Sequence, residues 1–308
     1  MNKNIDLSVT IAGVKLQNPV IAASGTFGYG TEYKGFLDIS ALGGICTKGL
    51  TLQPRPGNTG FRIHETPSGL MNSIGLENPG IRSFIENELP ALRNLGPAVI
   101  ANLSGSDLEQ YVQGAVLLDG SSIDMIELNI SCPNVKKGGM AFGMEAETAA
   151  HVTVAVRKAA PNKPLMVKLS PNAPDINAVA LACVNAGADA LSLVNTFKAM
   201  AIDIQNHKPV FDNISAGLSG PAIKPIALRM VWELWEVLQK AKQPVPIIGI
   251  GGIAAAENAL EFLMAGAAAV QVGSITFAHP SAMIEIINGI GIFMKEKKIS
   301  KLSELCIR

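Results

Sequence analysis

The chain has 308 residues, 48% of them hydrophobic and only 16% charged, which is enough apolar material for one large core or two ordinary ones. Its 25 basic and 25 acidic residues cancel to a formal charge of zero, which excludes the basic excess of a nucleic-acid or anionic-membrane surface. Four cysteines (Cys46, Cys132, Cys183, Cys306) lie far apart with no Cys-x-x-Cys pair, so no disulfide framework, iron–sulfur cluster or other metal site is expected within this chain.

From the N-terminus, Met1 to Ser8 lacks the apolar segment of a secretory signal. Strand-like apolar runs then recur at 19–23, 44–47, 98–103, 125–130, 165–169, 190–194, 246–250 and 268–272. Amphipathic stretches lie between them at 80–93, 107–118, 146–159, 175–186, 225–241 and 255–265. Eight apolar strands alternating with helices predict a parallel sheet covered on both faces, and eight is the number that closes into a (β/α)8 TIM barrel. Asn-Ala-Gly-Ala-Asp (185–189) and Met-Ala-Gly-Ala-Ala (264–268) place glycine where a helix ends in the left-handed conformation before the next strand.

Two segments exceed a minimal barrel. Residues 51–79 and 197–225 follow the second and sixth strands, on the face where barrel enzymes build their sites, and are expected to wall the site. No low-complexity linker or internal repeat divides the chain, so a single domain over residues 1–308 is expected. The longest charge-free run, Phe262 to Ala278, is broken by glycines and a glutamine and does not read as a membrane span. A soluble, cytoplasmic protein is the expectation.

The strand ends carry the chemistry. They present Ser24-Gly25, Lys48-Gly49, Asn102, Asn129 with Cys132, Lys168, Asn195-Thr196, Gly251-Gly252 and Gly273-Ser274, in chain order. Each group alone could be a cap or a satisfied core residue; their convergence on one end of a barrel points to a site. Glycines after the seventh and eighth strands let backbone N–H groups approach a phosphate, with a helix N-terminus behind them. Asn72, Asn102, Asn129, Asn134 and Asn195 mix donors with acceptors, as recognition of a flat heterocycle with imide and carbonyl edges requires. Lys48 and Lys168 supply positive charge for a reduced cofactor or a carboxylate, although a strand-end lysine could instead form a Schiff base, as in aldolases. The fourth strand ends in Asn-Ile-Ser-Cys-Pro-Asn (129–134), followed by Gly138, Gly139 and Gly143, a pattern that suits a rim with a hinged cover.

Asn-Ile-Ser-Cys-Pro-Asn-Val-Lys-Lys-Gly-Gly with Ala-Phe-Gly (129–143) closely resembles the catalytic loop of dihydroorotate dehydrogenases of the NAD-linked class 1B. Ala-Ser-Gly-Thr-Phe-Gly-Tyr-Gly (23–30), Met-Asn-Ser-Ile-Gly-Leu-Glu-Asn-Pro-Gly (71–80), Val-Lys-Leu-Ser-Pro-Asn (167–172), Gly-Leu-Ser-Gly-Pro-Ala-Ile-Lys-Pro (217–225) and Ile-Ile-Gly-Ile-Gly-Gly-Ile (247–253) resemble the same family, in order along nearly the whole chain. Gly49 and Thr26 depart from the family pattern without removing a functional group.

The resemblance implies an FMN-dependent oxidation of dihydroorotate to orotate in pyrimidine synthesis. By motif, Cys132 would be the base at C5 while hydride passes from C6 to flavin N5. Lys48, Asn72, Ser73, Ile74, Gly75, Leu76, Asn129, Asn134, Asn195 and Thr196 would hold the substrate. Ser24, Lys48, Gly49, Asn102, Asn129, Lys168, Val194, Gly220, Gly251, Gly252, Gly273 and Ser274 would hold FMN, with Lys168 at the pyrimidine end of the flavin. An untuned thiol is a weak base at neutral pH, so turnover is expected to rise with pH.

The chain has no dinucleotide fingerprint at its start and no cysteine cluster, so the class 1B resemblance implies a separate subunit carrying FAD and an iron–sulfur cluster, in a heterotetramer built on a homodimer of this chain. Trp232 and Trp235 suit either such an interface or helix–barrel packing. The rival readings are a fumarate-linked or dihydropyrimidine dehydrogenase-like relative, a Schiff-base aldolase using Lys168, and a flavin-binding scaffold without catalysis.

Overall fold

The structure, a computed structural model, describes residues 5–131 and 142–307. Eight parallel strands close into a barrel: β1 (Val20–Ala22), β2 (Gly44–Cys46), β3 (Ala98–Leu103), β4 (Met125–Asn129), β5 (Leu165–Lys168), β6 (Ala190–Leu193), β7 (Ile247–Ile250) and β8 (Ala269–Val272). Each pairs with its neighbours in sequence, and β8 closes on β1 through Val270 and Val20. All eight expected strands form, most of them a residue or so shorter at one or both ends. The residues trimmed from the C-terminal ends, such as Ala23, Thr47 and Val194, lead out of the ladder into the strand-end loops.

The helices at Leu108–Asp119, Ala146–Ala159, Ile176–Asn185, Lys224–Lys240 and Ala256–Met264 lie where hydrophobic periodicity placed them. Asp107 and Asp175 cap two of them, their side chains accepting from the backbone N–H of Gln110 and Ala178. Gly187 and Gly266 end helices at φ 99° and 106°, the left-handed backbone that the two Ala-Gly-Ala motifs predict. The stretch 81–93 is helical but interrupted by a π-turn at Phe84–Glu88. Trp232 and Trp235 pack, partly buried, against the barrel core.

The barrel interior is layered. At its N-terminal end, Ile21, Cys46, Ile100, Met125, Met166, Ala190, Ile248 and Ala269 supply one apolar residue per strand, and Ile11 and Leu16 pack on them. These two come from a hairpin, Val9–Ile11 with Val14–Leu16, that closes the bottom and that hydrophobic periodicity alone did not reveal. At the other end the two insertions meet. Strands Ile63–Thr66 and Gly69–Asn72 from the first pair with Ser215–Ser219 and Phe197–Met200 from the second, giving a four-stranded antiparallel sheet over the barrel mouth. Among the described residues no helix is long and apolar enough to cross a membrane.

Candidate active site

Between the strand ends and this sheet lies a cavity whose walls come from almost every barrel strand and from both insertions. The barrel side contributes Ser24, Lys48, Gly49, Asn129 and Lys168 from the ends of the first, second, fourth and fifth strands, then Val194, Asn195 and Thr196 after β6. Gly251, Gly252, Gly273 and Ser274 follow from the last two strands. The capping sheet and its flanks contribute Asn72, Ile74, Gly75, Leu76 and Gly220. The two insertions are therefore walls of the cavity, as their position in the chain predicts.

Two expected residues lie behind the wall. Ser73 is 2% exposed, because successive strand residues point to opposite faces and Asn72 takes the cavity side. Its hydroxyl accepts from Asn58 Nδ2 at 3.1 Å and Asn213 Nδ2 at 3.2 Å, tying the cap together. Asn102 is fully buried and accepts from Asn129 Nδ2 at 3.1 Å, so its reach to the cavity runs through Asn129. Cys132 and Asn134 lie outside the described residues.

The amides form a connected relay at the ends of β3, β4 and β6. Asn129 Oδ1 accepts from the Ser131 hydroxyl at 3.0 Å, and Asn195 Nδ2 donates to that hydroxyl at 2.8 Å. The Tyr111 phenol donates to the Asn129 carbonyl at 2.8 Å, and Asn172 Nδ2 to the Thr196 carbonyl at 3.2 Å. Side chains satisfied in this way have few rotamers left, so the strand ends present fixed donors and acceptors to the cavity.

Beneath the lining sits a group that the strand ends do not announce. Glu127, on β4, is fully buried. Its Oε1 accepts from Asn102 Nδ2 at 2.6 Å and the Cys46 thiol at 3.2 Å; its Oε2 accepts from Gln271 Nε2 at 2.7 Å and the Ser192 hydroxyl at 2.9 Å. Lys168 Nζ stands 3.6 Å from Oε1. Side chains from five other strands thus meet on this one carboxylate. Burial pushes the Glu127 carboxyl upward, but the Lys168 ammonium and hydrogen bonds from Gln271, Cys46 and Asn102 outweigh it and hold the carboxyl below its usual range. Burial, with the Glu127 charge beside it, pushes the Cys46 thiol well up. The available signal was one carboxylate inside the apolar run 125–130, since a charge in a strand buried on both faces needs partners.

The glycine segment is shaped by close backbone approach. Gly251 and Gly252 have φ 135° and 67°. A Cβ on Gly252 would stand 2.7 Å from the Gly220 carbonyl oxygen, and one on Gly251 2.7 Å from Ala227 Cβ. No side chain fits there, which leaves bare backbone facing the cavity.

A closed parallel barrel with amides, lysines and bare glycine backbone gathered at the C-terminal strand ends defines the class of (β/α)8-barrel enzymes. Comparison with known proteins narrows that class: the family model described as dihydroorotate dehydrogenase matches residues 6–294. The chain is 58% identical over 301 residues to the "Dihydroorotate dehydrogenase B (NAD(+)), catalytic subunit" of Petrotoga mobilis, covering 98% of each. It is 53% identical to the protein of that name from Geotalea daltonii (97% of each) and 49% identical to that from Thermoanaerobacter pseudethanolicus (98% of each). The chain belongs to the dihydroorotate dehydrogenase family and is an oxidoreductase.

Proposed function

We propose that the chain is the FMN-bearing catalytic subunit of an NAD-linked dihydroorotate dehydrogenase, one barrel domain that oxidises (S)-dihydroorotate to orotate in pyrimidine synthesis. The observation that carries this reading is the convergence of Lys168, the Asn129–Ser131–Asn195 relay and the bare glycines of β7 and β8 on one cavity.

The residues present fit FMN. Gly251, Gly252 and Gly273 with Ser274 suit a phosphate, because no Cβ keeps an anion from their N–H groups. Ser24, Lys48, Gly49, Asn129, Val194 and Gly220 line the route toward Lys168, whose charge suits the pyrimidine end of a flavin, and Asn102 supports Asn129 from below. Lys48, Asn72, Ile74 to Leu76, Asn129, Asn195 and Thr196 hold the substrate ring and carboxylate, with Ser73 and Asn134 in the same motifs.

Cys132 removes the proton from C5 of dihydroorotate. FMN, when bound, supplies the acceptor for the hydride that leaves C6. Lys168 would place positive charge at the pyrimidine end of FMN, where it would favour the reduced cofactor, and the amide relay would hold the substrate edge so that C5 faces the base.

The electrons leave through a partner subunit carrying FAD and an iron–sulfur cluster, in a cytoplasmic heterotetramer built on a homodimer of this chain. Anaerobic addition of dihydroorotate to the purified yellow protein tests the reading. Bleaching of the flavin band is expected, and an oxidised spectrum that persists would overturn it.

A further inference from the structure

Gln271 lines the cavity from β8 and is 1% exposed. Its Nε2 donates to Glu127 Oε2 at 2.7 Å. An ionised carboxylate can only accept, so the amide cannot sit the other way round. Its Oε1 is therefore turned away from Glu127; it is buried and has no hydrogen-bond partner among the described residues. A buried acceptor without a donor is destabilising, and in a cavity wall it calls for a donor on whatever binds there.

The same carboxylate holds Lys168 on its other oxygen, at 3.6 Å. Glu127 thereby holds a donor, the Lys168 ammonium, on one oxygen and the Gln271 amide on the other, and both residues line the cavity. A donor and an acceptor offered by two residues of one wall suit an imide edge, in which a ring N–H adjoins a carbonyl.

We infer that Gln271 is a ligand-binding residue that accepts the ring N–H of a uracil-type imide, with Glu127 as the positioning residue that fixes its amide. This rests on the functional reading above and adds to it a contact that reading does not contain. The imide belongs to one of two rings that enter this cavity: the pyrimidine half of the flavin or the dihydropyrimidine substrate. Both carry a carbonyl-flanked N–H at N3, and Gln271 serves either by the same chemistry.

The test compares each ligand with its N3-methyl form in the wild-type chain and in Gln271→Met. FMN and 3-methyl-FMN are titrated into flavin-free protein, and orotate and 3-methylorotate into the FMN-loaded protein. In the wild type, methylation is expected to weaken one pair by roughly tenfold, the effect of losing a buried hydrogen bond. In Gln271→Met that ratio should fall toward one, as it does when both partners of a contact are removed. Collapse in the flavin pair places the imide on FMN; collapse in the orotate pair places it on the substrate.

Unchanged ratios in both pairs would overturn the inference and leave water as the donor to Gln271. Should the Met variant not fold, FMN and orotate labelled with ¹⁵N at N3 decide the matter on the wild type. An N3 proton protected from solvent exchange is expected in one complex, and free-ligand exchange in both would overturn the inference. A wild-type chain that takes up neither FMN nor orotate would overturn the functional reading together with this one, whereas normal binding with unchanged ratios overturns only the role of Gln271.

Discussion

Lys168 Nζ stands 3.6 Å from Glu127 Oε1, with the two side chains 6% and 0% exposed. A pair this deep is strongly destabilising to break from one side, because the remaining Lys168 charge stays almost wholly buried without the carboxylate that offsets it. Glu127→Ala is expected to lower unfolding free energy by about 3–5 kcal/mol, measured by urea denaturation at neutral pH.

The same carboxyl predicts how stability varies with acidity. Glu127 is held below its usual range in the folded chain. Its contribution is therefore complete above the unfolded value of about 4.3 and is lost as pH falls through the lower folded value. Glu127→Gln carries no such charge at any pH. Urea midpoints measured from about pH 6 down to about pH 3 should fall less steeply in the variant than in the wild type, and parallel curves would show that the carboxyl is not held low.

Gly252 gives a sharper local test. Its φ is 67°, and the Gly220 carbonyl oxygen would lie 2.7 Å from any Cβ added to it, so alanine there must displace backbone. Gly252→Ala should cost about 1–3 kcal/mol and weaken FMN uptake, read by thermal unfolding and by quenching of flavin fluorescence. Gly35→Ala serves as a control, since nothing lies within 4 Å of a Cβ at that position.

These contrasts show which parts of the fold were legible in the sequence. The barrel strands were, because a parallel strand buried on both faces must be an apolar run, and Leu165–Lys168 and Ala190–Leu193 are buried throughout. The strand-end polar residues were legible because they interrupt those runs. The bottom hairpin was not: Val9–Ile11 and Val14–Leu16 are three residues each and expose one face, too short for periodicity to register. The capping sheet escaped for another reason. Ile63–Thr66 and Ser215–Ser219 lie about 150 residues apart and are linked through Gly69–Asn72, a pairing that no local pattern encodes. Glu127 was visible as a letter, but its meaning depends on Cys46, Asn102, Lys168, Ser192 and Gln271, which only barrel closure brings together.

Two of the cysteines should be chemically silent. Cys46 and Cys183 are fully buried; burial pushes the Cys183 thiol up to about 11, and burial beside Glu127 pushes Cys46 well up. The thiolate is the reactive form, so iodoacetamide at neutral pH should leave both unmodified in the native protein and label both after unfolding in urea, as read by peptide mass spectrometry. Labelling of Cys46 at the rate of an exposed thiol would contradict its place in the Glu127 network.

Cys132 carries the opposite demand, because the proposed chemistry needs a base that can take a proton from carbon. Serine keeps the shape of that side chain but gives up the thiolate: a hydroxyl is a far weaker acid, so its deprotonated form is scarcely available near neutral pH. Cys132→Ser should therefore take up FMN as the wild type does, since none of the cavity residues proposed to hold the flavin is changed. Its reduction by dihydroorotate should slow by roughly 10²–10⁴-fold, the usual contribution of a positioned base. In the wild type the same step should accelerate as pH rises toward the ordinary thiol value of about 8.5. Stopped-flow reduction under anaerobic conditions reads both effects directly from the flavin band. A Ser variant reduced at the wild-type rate, or a wild-type rate that stays flat across that pH range, would move the base to another residue.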